Sequence, residues 1–318
     1  MGVYLDFAMR YRIIHHQHKG KPFEKALKRS GWREDTYHPE ICLMDHAINR
    51  GQPEKGRRAL KSLYNQRITV VTYPHGATGA WWMDSDIFNT DPRVSGNLVI
   101  GEGHKRIEQI MQPTLDHYVV GWPYCKVMPF DPPNKLKTIL FAPIHASIRG
   151  NLLRQEAIDT NIAVYKELLS LPYRIKVRHV NPLDVIGLWK EPNVEFIFGQ
   201  PDGSYIDIDK ADLVIAEGTF LYLAAARGKP VIGLNQHIPI GPSYEIFNFK
   251  LNHWDEYEPY FAYPIDFSDG PLKELIELAI EEEQIEWKRL FIGKEMKDED
   301  LVKILTEIRL KDLKTSRI

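Results

Sequence analysis

Short apolar runs alternate with amphipathic stretches along most of this chain, and their order predicts two consecutive series of strands and helices. In the first series Ile41–Asp45, Ile68–Thr72, Leu98–Ile100 and Tyr118–Val120 read as strands, with helical spacing over 54–66 and 103–115 between them. The second begins at Thr138: the runs TILFAP, YRIKVRHV, VEFIFG, ADLVIA and PVIGL predict strands, with helices over 152–170 and 219–227. Strands separated by helices of this length predict parallel sheets of the βαβ kind, each strand covered on both faces. Asp131-Pro132-Pro133-Asn134 interrupts helix and strand alike, so a hinge is expected near 126–136. From 271 onward the pattern is helical by period and composition. The expected organisation is an N-terminal domain over 1–130, a C-terminal domain over 131–270, and helices over 271–318 that return to brace the first domain.

Composition narrows the class without redirecting it. With 318 residues, 43% hydrophobic and 26% charged, the chain is long enough for two globular domains. Cys42 and Cys125 lie far apart and show no Cys-x-x-Cys or Cys/His spacing. A disulfide framework and a structural zinc site are therefore not expected, and a reducing compartment is. No run reaches the roughly 20 apolar residues of a membrane span, and the first residues lack the apolar stretch of a signal peptide, which points to the cytoplasm. Charge is divided unevenly. Residues 1–68 hold 14 Lys/Arg against 7 Asp/Glu, a balance of +7, which leaves −9 for the rest of a chain whose net charge is −2. That basic region is either a solvated mixed-charge face or a docking face for an anionic partner such as a phosphorylated lipid, a polyanionic glycan or nucleic acid.

In open parallel sheets, ligands gather at the carboxyl ends of the strands, so candidate chemistry should follow strands in the sequence. Four polar clusters do: Pro74-His75-Gly76 after ITVVTY, His145-Ala146-Ser147 after TILFAPI, His179 after IKVR, and Glu217-Gly218-Thr219 after LVIA. The last cluster opens an Ala-rich helix whose first N–H groups and dipole favour a phosphate. Arg149, Arg178 and His179 add positive charge and hydrogen-bond donors near it. Trp81 and Trp82 serve either as a stacking surface for an acceptor or as core. Asp84-Ser85-Asp86 has a spacing able to hold a cation, but it follows the tryptophans in what reads as a loop, and no metal is expected. His15, His16 and His18 cluster with Lys19 and Lys21, which reads as a solvated or phosphate-facing loop.

From Lys137 onward the order FAPIHAS, IKVRHVNP and ADLVIAEGTFLYLAAARGKPVI resembles the C-terminal domain of GT-B-fold transferases, especially the CDP-glycerol glycerophosphotransferase-like group and its capsule and teichoic-acid relatives. Upstream, TYPHG resembles the His-Gly turn on the acceptor side of those enzymes, and VVGWPYCKV the Gly-x-Pro segment that leads into their hinge. The resemblance covers about residues 68–235 and implies an α/β protein of GT-B type, two Rossmann-like doubly wound domains facing across a cleft. It also implies that His75, in the turn with Gly76 on the acceptor side, acts as base at the acceptor hydroxyl; read from the residues themselves, Asp84 is a second catalytic candidate and Trp81 and Trp82 are acceptor-side candidates. His145, Ser147, Arg149, Arg178, His179, Glu217, Gly218 and Thr219 then form the donor side. Where the family shows a Ser/Thr-rich turn with an Asp, this chain has Ala216-Glu217-Gly218-Thr219. A glutamate there suits the hydroxyls of a ribose or a sugar.

The expected function is a metal-independent glycosyltransferase that needs no cofactor, takes a nucleotide-sugar as donor substrate, and transfers the sugar to a hydroxyl on a glycan, a lipid-linked acceptor or a modified nucleic-acid base. A CDP-polyol phosphotransferase, a phage-type DNA-base glycosyltransferase and a non-catalytic GT-B-like binding module are the alternatives.

Overall fold

The computed structural model describes residues 8–14, 21–45, 53–73, 93–111, 113–148, 152–153, 155–199, 204–234, 265, 267–281 and 284–315. These divide into two units: the first holds the described residues up to Tyr124 and from Arg289 onward, the second those from Cys125 to Lys288.

In the first unit the chain runs β1 (Arg10–Ile14), α1 (Lys21–Arg29), β2 (Arg33–Glu34), β3 (Ile41–Asp45), α2 (Pro53–Asn65), β4 (Thr69–Tyr73), β5 (Gly96–Val99), α3 (Glu102–Met111) and β6 (His117–Val119). Its sheet has the order β2-β1-β3-β4-β5-β6, parallel at every ladder. The central strands β3 and β4 are buried at all five positions, as strands covered on both faces must be. The edge-side β1, RYRII, carries two arginines and exposes Arg10. Pairing with β3, rather than an apolar run of its own, sets its place.

The second unit runs β7 (Thr138–Phe141), β8 (Ser147–Ile148), β9 (Leu152–Leu153), α4 (Gln155–Leu169), β10 (Arg174–His179), a 3₁₀ turn (Pro182–Val185), β11 (Val194–Phe198), α5 (Ser204–Asp209), β12 (Leu213–Ala216), α6 (Gly218–Ala226), β13 (Val231–Gly233) and, after a 3₁₀ turn at Phe267–Asp269, α7 (Leu272–Glu281). Its main sheet has the order β11-β10-β7-β12-β13, again parallel throughout. Counted within the unit this is the doubly wound order 3-2-1-4-5, and the direction of winding reverses between β7 and β12. Ile139, Phe141, Val177, Leu213, Ile215 and Ile276 are among the residues that fill its core. The helix α6 is buried along Leu221–Ala226, with Tyr222 packed 5.1 Å from the Trp287 ring.

The chain passes back to the first unit within α8 (Ile285–Phe291) and ends in α9 (Asp298–Thr315). Leu301, Leu305 and Ile308 of α9 are buried in one core with Tyr11, Phe23 and Val71. Polar ties fix its register. Arg29 in the last turn of α1 grips Asp298 in the first turn of α9 through two bonds of 2.7 and 2.8 Å, Thr69 of β4 donates to Asp312 at 2.5 Å, and Arg309 donates to the Thr69 hydroxyl at 2.8 Å. Among the described residues no helix is long and apolar enough to cross a membrane.

Leu305 is fully buried, so Leu305→Ala should destabilise the first unit by about 2–5 kcal/mol, read from the midpoint of chemical denaturation. The Arg29 guanidinium holds the Asp298 carboxyl below its ordinary range. A depressed carboxyl contributes stability above its unfolded value and loses it as pH falls through the folded one. The stability gap between the unmutated protein and Arg29→Ala should therefore be constant near neutrality and shrink as pH drops through and below the ordinary carboxylate range. A gap that widens in acid would contradict this.

Candidate functional site

The reversal of winding between β7 and β12 leaves their carboxyl ends adjacent with no crossover lying over them, which is where ligands bind in open α/β sheets. Two segments leave the sheet there: the loop 142–146 after β7, and Glu217 followed by α6 after β12. A hydrogen bond of 2.8 Å joins them, from the His145 N–H to the Glu217 Oε1.

That bond is one of three. Ile144 N–H donates to Asn161 Oδ1 at 2.8 Å, His145 N–H to Glu217, and Ala146 N–H to Asp184 Oδ1 at 3.1 Å. Three consecutive amides are thus held by side chains from three elements: α4, the start of α6, and the 3₁₀ turn 182–185. Asn161, fully buried on α4, also donates to the carbonyls of Ile144 at 2.9 Å and Asp184 at 3.4 Å, which pins the loop and the turn together. The turn has its own cap, with Asn181 Oδ1 accepting from Leu183 N–H at 3.0 Å while Asp184 Oδ2 accepts from Asn181 N–H at 3.2 Å. Asp184 Oδ2 further meets His145 Nδ1 at 3.2 Å. The Asp184 side chain is 2% exposed, and that of His145 59%. A carboxylate buried this fully needs donors around it, and it has them.

Glu217 occupies the N-cap of α6 in extended conformation, φ −109° and ψ 164°, yet its side chain does not bond the first-turn N–H groups. It spans to the β7 loop instead. Gly218 begins the helix at φ +55°, in the left-handed region, and a Cβ built there meets nothing within 4 Å. Among the described residues, the amino end of this nine-residue helix is thus not capped by the Glu217 side chain and is open beside Gly218, with Thr219 half-buried next to it.

Arg178 lies against the first turn of α6, with its charge already answered. Its guanidinium, 6% exposed, donates to Asp207 Oδ2 at 2.9 Å and to Ser204 Oγ at 3.0 Å, and stacks 4.7 Å from the centre of the Phe220 ring. Gly199 makes room for it: a Cβ there would stand 2.4 Å from the Arg178 Cζ. Arg178 therefore ties β10 to the start of α5 and to the first turn of α6, with its charge answered by Asp207. His179, the last residue of β10, packs edge-on against Phe198 at 5.7 Å, and its buried Nδ1 has no hydrogen-bond partner among the described residues. Ser147 opens β8, paired antiparallel with Leu153 of β9. Arg149, His75, Gly76, Trp81, Trp82 and Asp84 lie outside the described residues.

Of the donor-side residues expected from the sequence, the structure brings His145, Glu217 and Gly218 together. Sequence reasoning missed Asp184, Asn161, Asp207, Ser204 and Phe220. A signal for Asp184 was present, since Asn181-Pro182-Leu183-Asp184 has the spacing of a capping box, and Asn161 stands on the apolar face of α4. It also missed Asp45, fully buried at the end of β3 and beside β1, the strand pair where the winding of the first unit reverses.

Among solved structures, the chain is similar to the glycosyltransferase SnogD from Streptomyces nogalater, at 11% identity and TM-score 0.51, covering 95% of this chain and 99% of that one. It is similar to a variant of the wall teichoic acid polymerase TagF at 11% identity and TM-score 0.50, covering 98% and 90%. TarM aligns at 13% identity and TM-score 0.49 over 85% of this chain, which spans only 54% of the TarM chain. No protein-family model matches the chain, and no curated protein matches its sequence. The SnogD and TagF likenesses show the fold: the chain is an α/β protein of GT-B type, built on two Rossmann-like parallel sheets, as the sequence led us to expect.

Because the space beside Gly218 is open, the cost of a side chain there is conformational rather than steric. Gly218→Ala should lower stability by about 1–2 kcal/mol, and Gly218→Asn by less, since asparagine tolerates left-handed backbone better. Equal losses in thermal denaturation would mean that the positive φ is not what selects glycine.

Proposed function

We propose that this chain is a cytoplasmic glycosyltransferase that moves a sugar from a nucleotide-sugar donor to a hydroxyl acceptor, without a resident metal. The observation that carries the reading is the join between His145 and Glu217 across the β7/β12 reversal, directly before the open amino end of α6. In this reading the departing diphosphate lies against the first N–H groups of α6, where the helix dipole favours negative charge as the glycosidic bond breaks. His145 supplies a further donor from the loop. Glu217, its carboxylate already oriented by one amide, takes the hydroxyls of the ribose or the sugar. Arg178 acts here as the brace that sets Phe220 and the helix start, while His179, Ser147, Arg149 and Thr219 remain donor-side assignments that rest on the sequence.

On the acceptor side His75 is the proposed base, assisted by Asp84, with Gly76, Trp81 and Trp82 shaping the approach. A second candidate base comes from topology: His15 directly follows β1 in the chain, and β1 adjoins the Asp45-bearing strand at the reversal in the first unit. The acceptor is a hydroxyl compound; of the 14 Lys/Arg in the basic N-terminal region, Arg10, Lys28 and Arg29 are paired with Asp35 and Glu40, with Glu24 and Glu34, and with Asp298.

Thermal denaturation with UDP, CDP, GDP, dTDP and their sugar conjugates tests the donor. A ligand at 100 times its Kd should add about 2.7 kcal/mol, and the winning base separates a sugar donor from a CDP-polyol. No shift with any of them would sink the proposal. Once a donor and acceptor are in hand, His75→Ala should cost transfer on the order of 10²-fold or more while donor binding stays intact. Full activity in that variant, with the loss appearing in His15→Ala, would move the base to the first strand.

A further inference from the structure

The backbone around His145 is held at three successive N–H groups. The amide before it goes to Asn161, its own to Glu217, and the one after it to Asp184, so the loop has little freedom to re-aim the imidazole. Only the side-chain torsions remain, and the Asp184 contact fixes those. Charged groups that meet His145 include Asp184, at the ring Nδ1, and Glu217, at the backbone N–H.

We propose that Asp184 is a positioning residue that locks His145 in the Nδ1–H tautomer, so that Nε2 is the nitrogen turned toward the donor site. An ionised carboxylate can only accept, so the 3.2 Å contact requires the proton on Nδ1. The carboxylate is itself immobile: it is 2% exposed and takes two backbone N–H groups besides the imidazole. With Nδ1 turned to that buried oxygen, Nε2 is the ring nitrogen on the side away from Asp184, in a side chain that is 59% exposed. Protonation at Nε2 then yields an imidazolium that can donate to a diphosphate oxygen without any change of ring orientation. This use of His145 rests on the donor-site reading above; the tautomer does not.

Nitrogen-15 NMR of the histidine rings, with His145 assigned by the signals lost in His145→Gln, tests the tautomer directly. At a pH where the ring is neutral, the unmutated protein should show a protonated Nδ1 and a bare Nε2. Asp184→Asn should shift His145 toward the Nε2–H form. It should also weaken binding of whichever of UDP, CDP, GDP or dTDP binds best by about 10-fold, the size expected for a lost bond to a charged group, and leave the matching nucleoside unchanged. Asn181→Ala removes the cap of the same turn but not the imidazole contact, so it should lower stability and keep the tautomer. A neutral His145 in the Nε2–H form in the unmutated protein overturns the proposal even if Asp184→Asn fails to fold. So does an Asp184→Asn protein with unchanged tautomer and unchanged affinity. If the unmutated protein binds none of the four nucleotides, the donor-site reading falls and takes the use of His145 with it, while the NMR result separately decides whether Asp184 sets the ring.

Discussion

Three consecutive amides after β7, each held by a side chain from a different element, tie the loop at the carboxyl edge of the second unit's sheet to its neighbours. The constraint behind them is general. A parallel sheet puts all its strand ends on one edge, and the chain that leaves each strand must satisfy its N–H groups without a ladder to do it. A buried N–H left without a partner costs about 1–3 kcal/mol. Here the cost is avoided with Asn161, Glu217 and Asp184, and these side chains join α4, the start of α6 and the 3₁₀ turn to one loop. The same bonds that make the loop stable also make it an oriented one, and His145 is the residue at its centre.

Charge at this edge is arranged differently from what residue types alone indicate. Arg178 carries a full positive charge at the end of β10, but Asp207 and Ser204 hold its guanidinium, Phe220 stacks on it, and the bare backbone of Gly199 lies against it. A charge buried this closely is paired because an unpaired one would be far less favourable. Its effect on the site is through shape: it draws β10, α5 and the first turn of α6 together. Softer groups stand beside it, namely the first backbone N–H groups of a helix that the N-cap side chain does not bond, and a partly exposed imidazole. Such groups stabilise a developing negative charge through their orientation.

Most strands of the second unit, and the central strands of the first, were legible in the sequence. ICLMD was read with its true bounds, and TILFAP, YRIKVRHV, VEFIFG and ADLVIA were each read to within two residues of the observed strand ends. That sufficed for the fold class, because strands alternating with helices leave few other architectures. The strand β1 was missed although RYRII alternates basic and apolar residues much as β10 does; it is short, and its pairing with β3 places it. Missing it hid the reversal in the first unit, and with it the position of Asp45. At the site, Glu217 and Gly218 could be read from a strand followed by a helix start. For Asp184 the sequence offered only its place in a capping box, and neither its contact with the β7 loop nor that of Asn161 was legible, because each acts on a loop 17 or more residues away. Arg178 shows the same limit from the other side: its residue type was plain, and its partners were not.

The central claim, that a nucleoside diphosphate binds across the β7/β12 reversal, is tested most directly by mapping backbone amide shifts while UDP, CDP, GDP and dTDP are titrated into the protein. The account predicts that the largest saturating changes fall on Ile144, His145, Ala146 and the first turn of α6, Gly218 to Phe220. Saturating changes that leave these amides still, whichever nucleotide produces them, would contradict it.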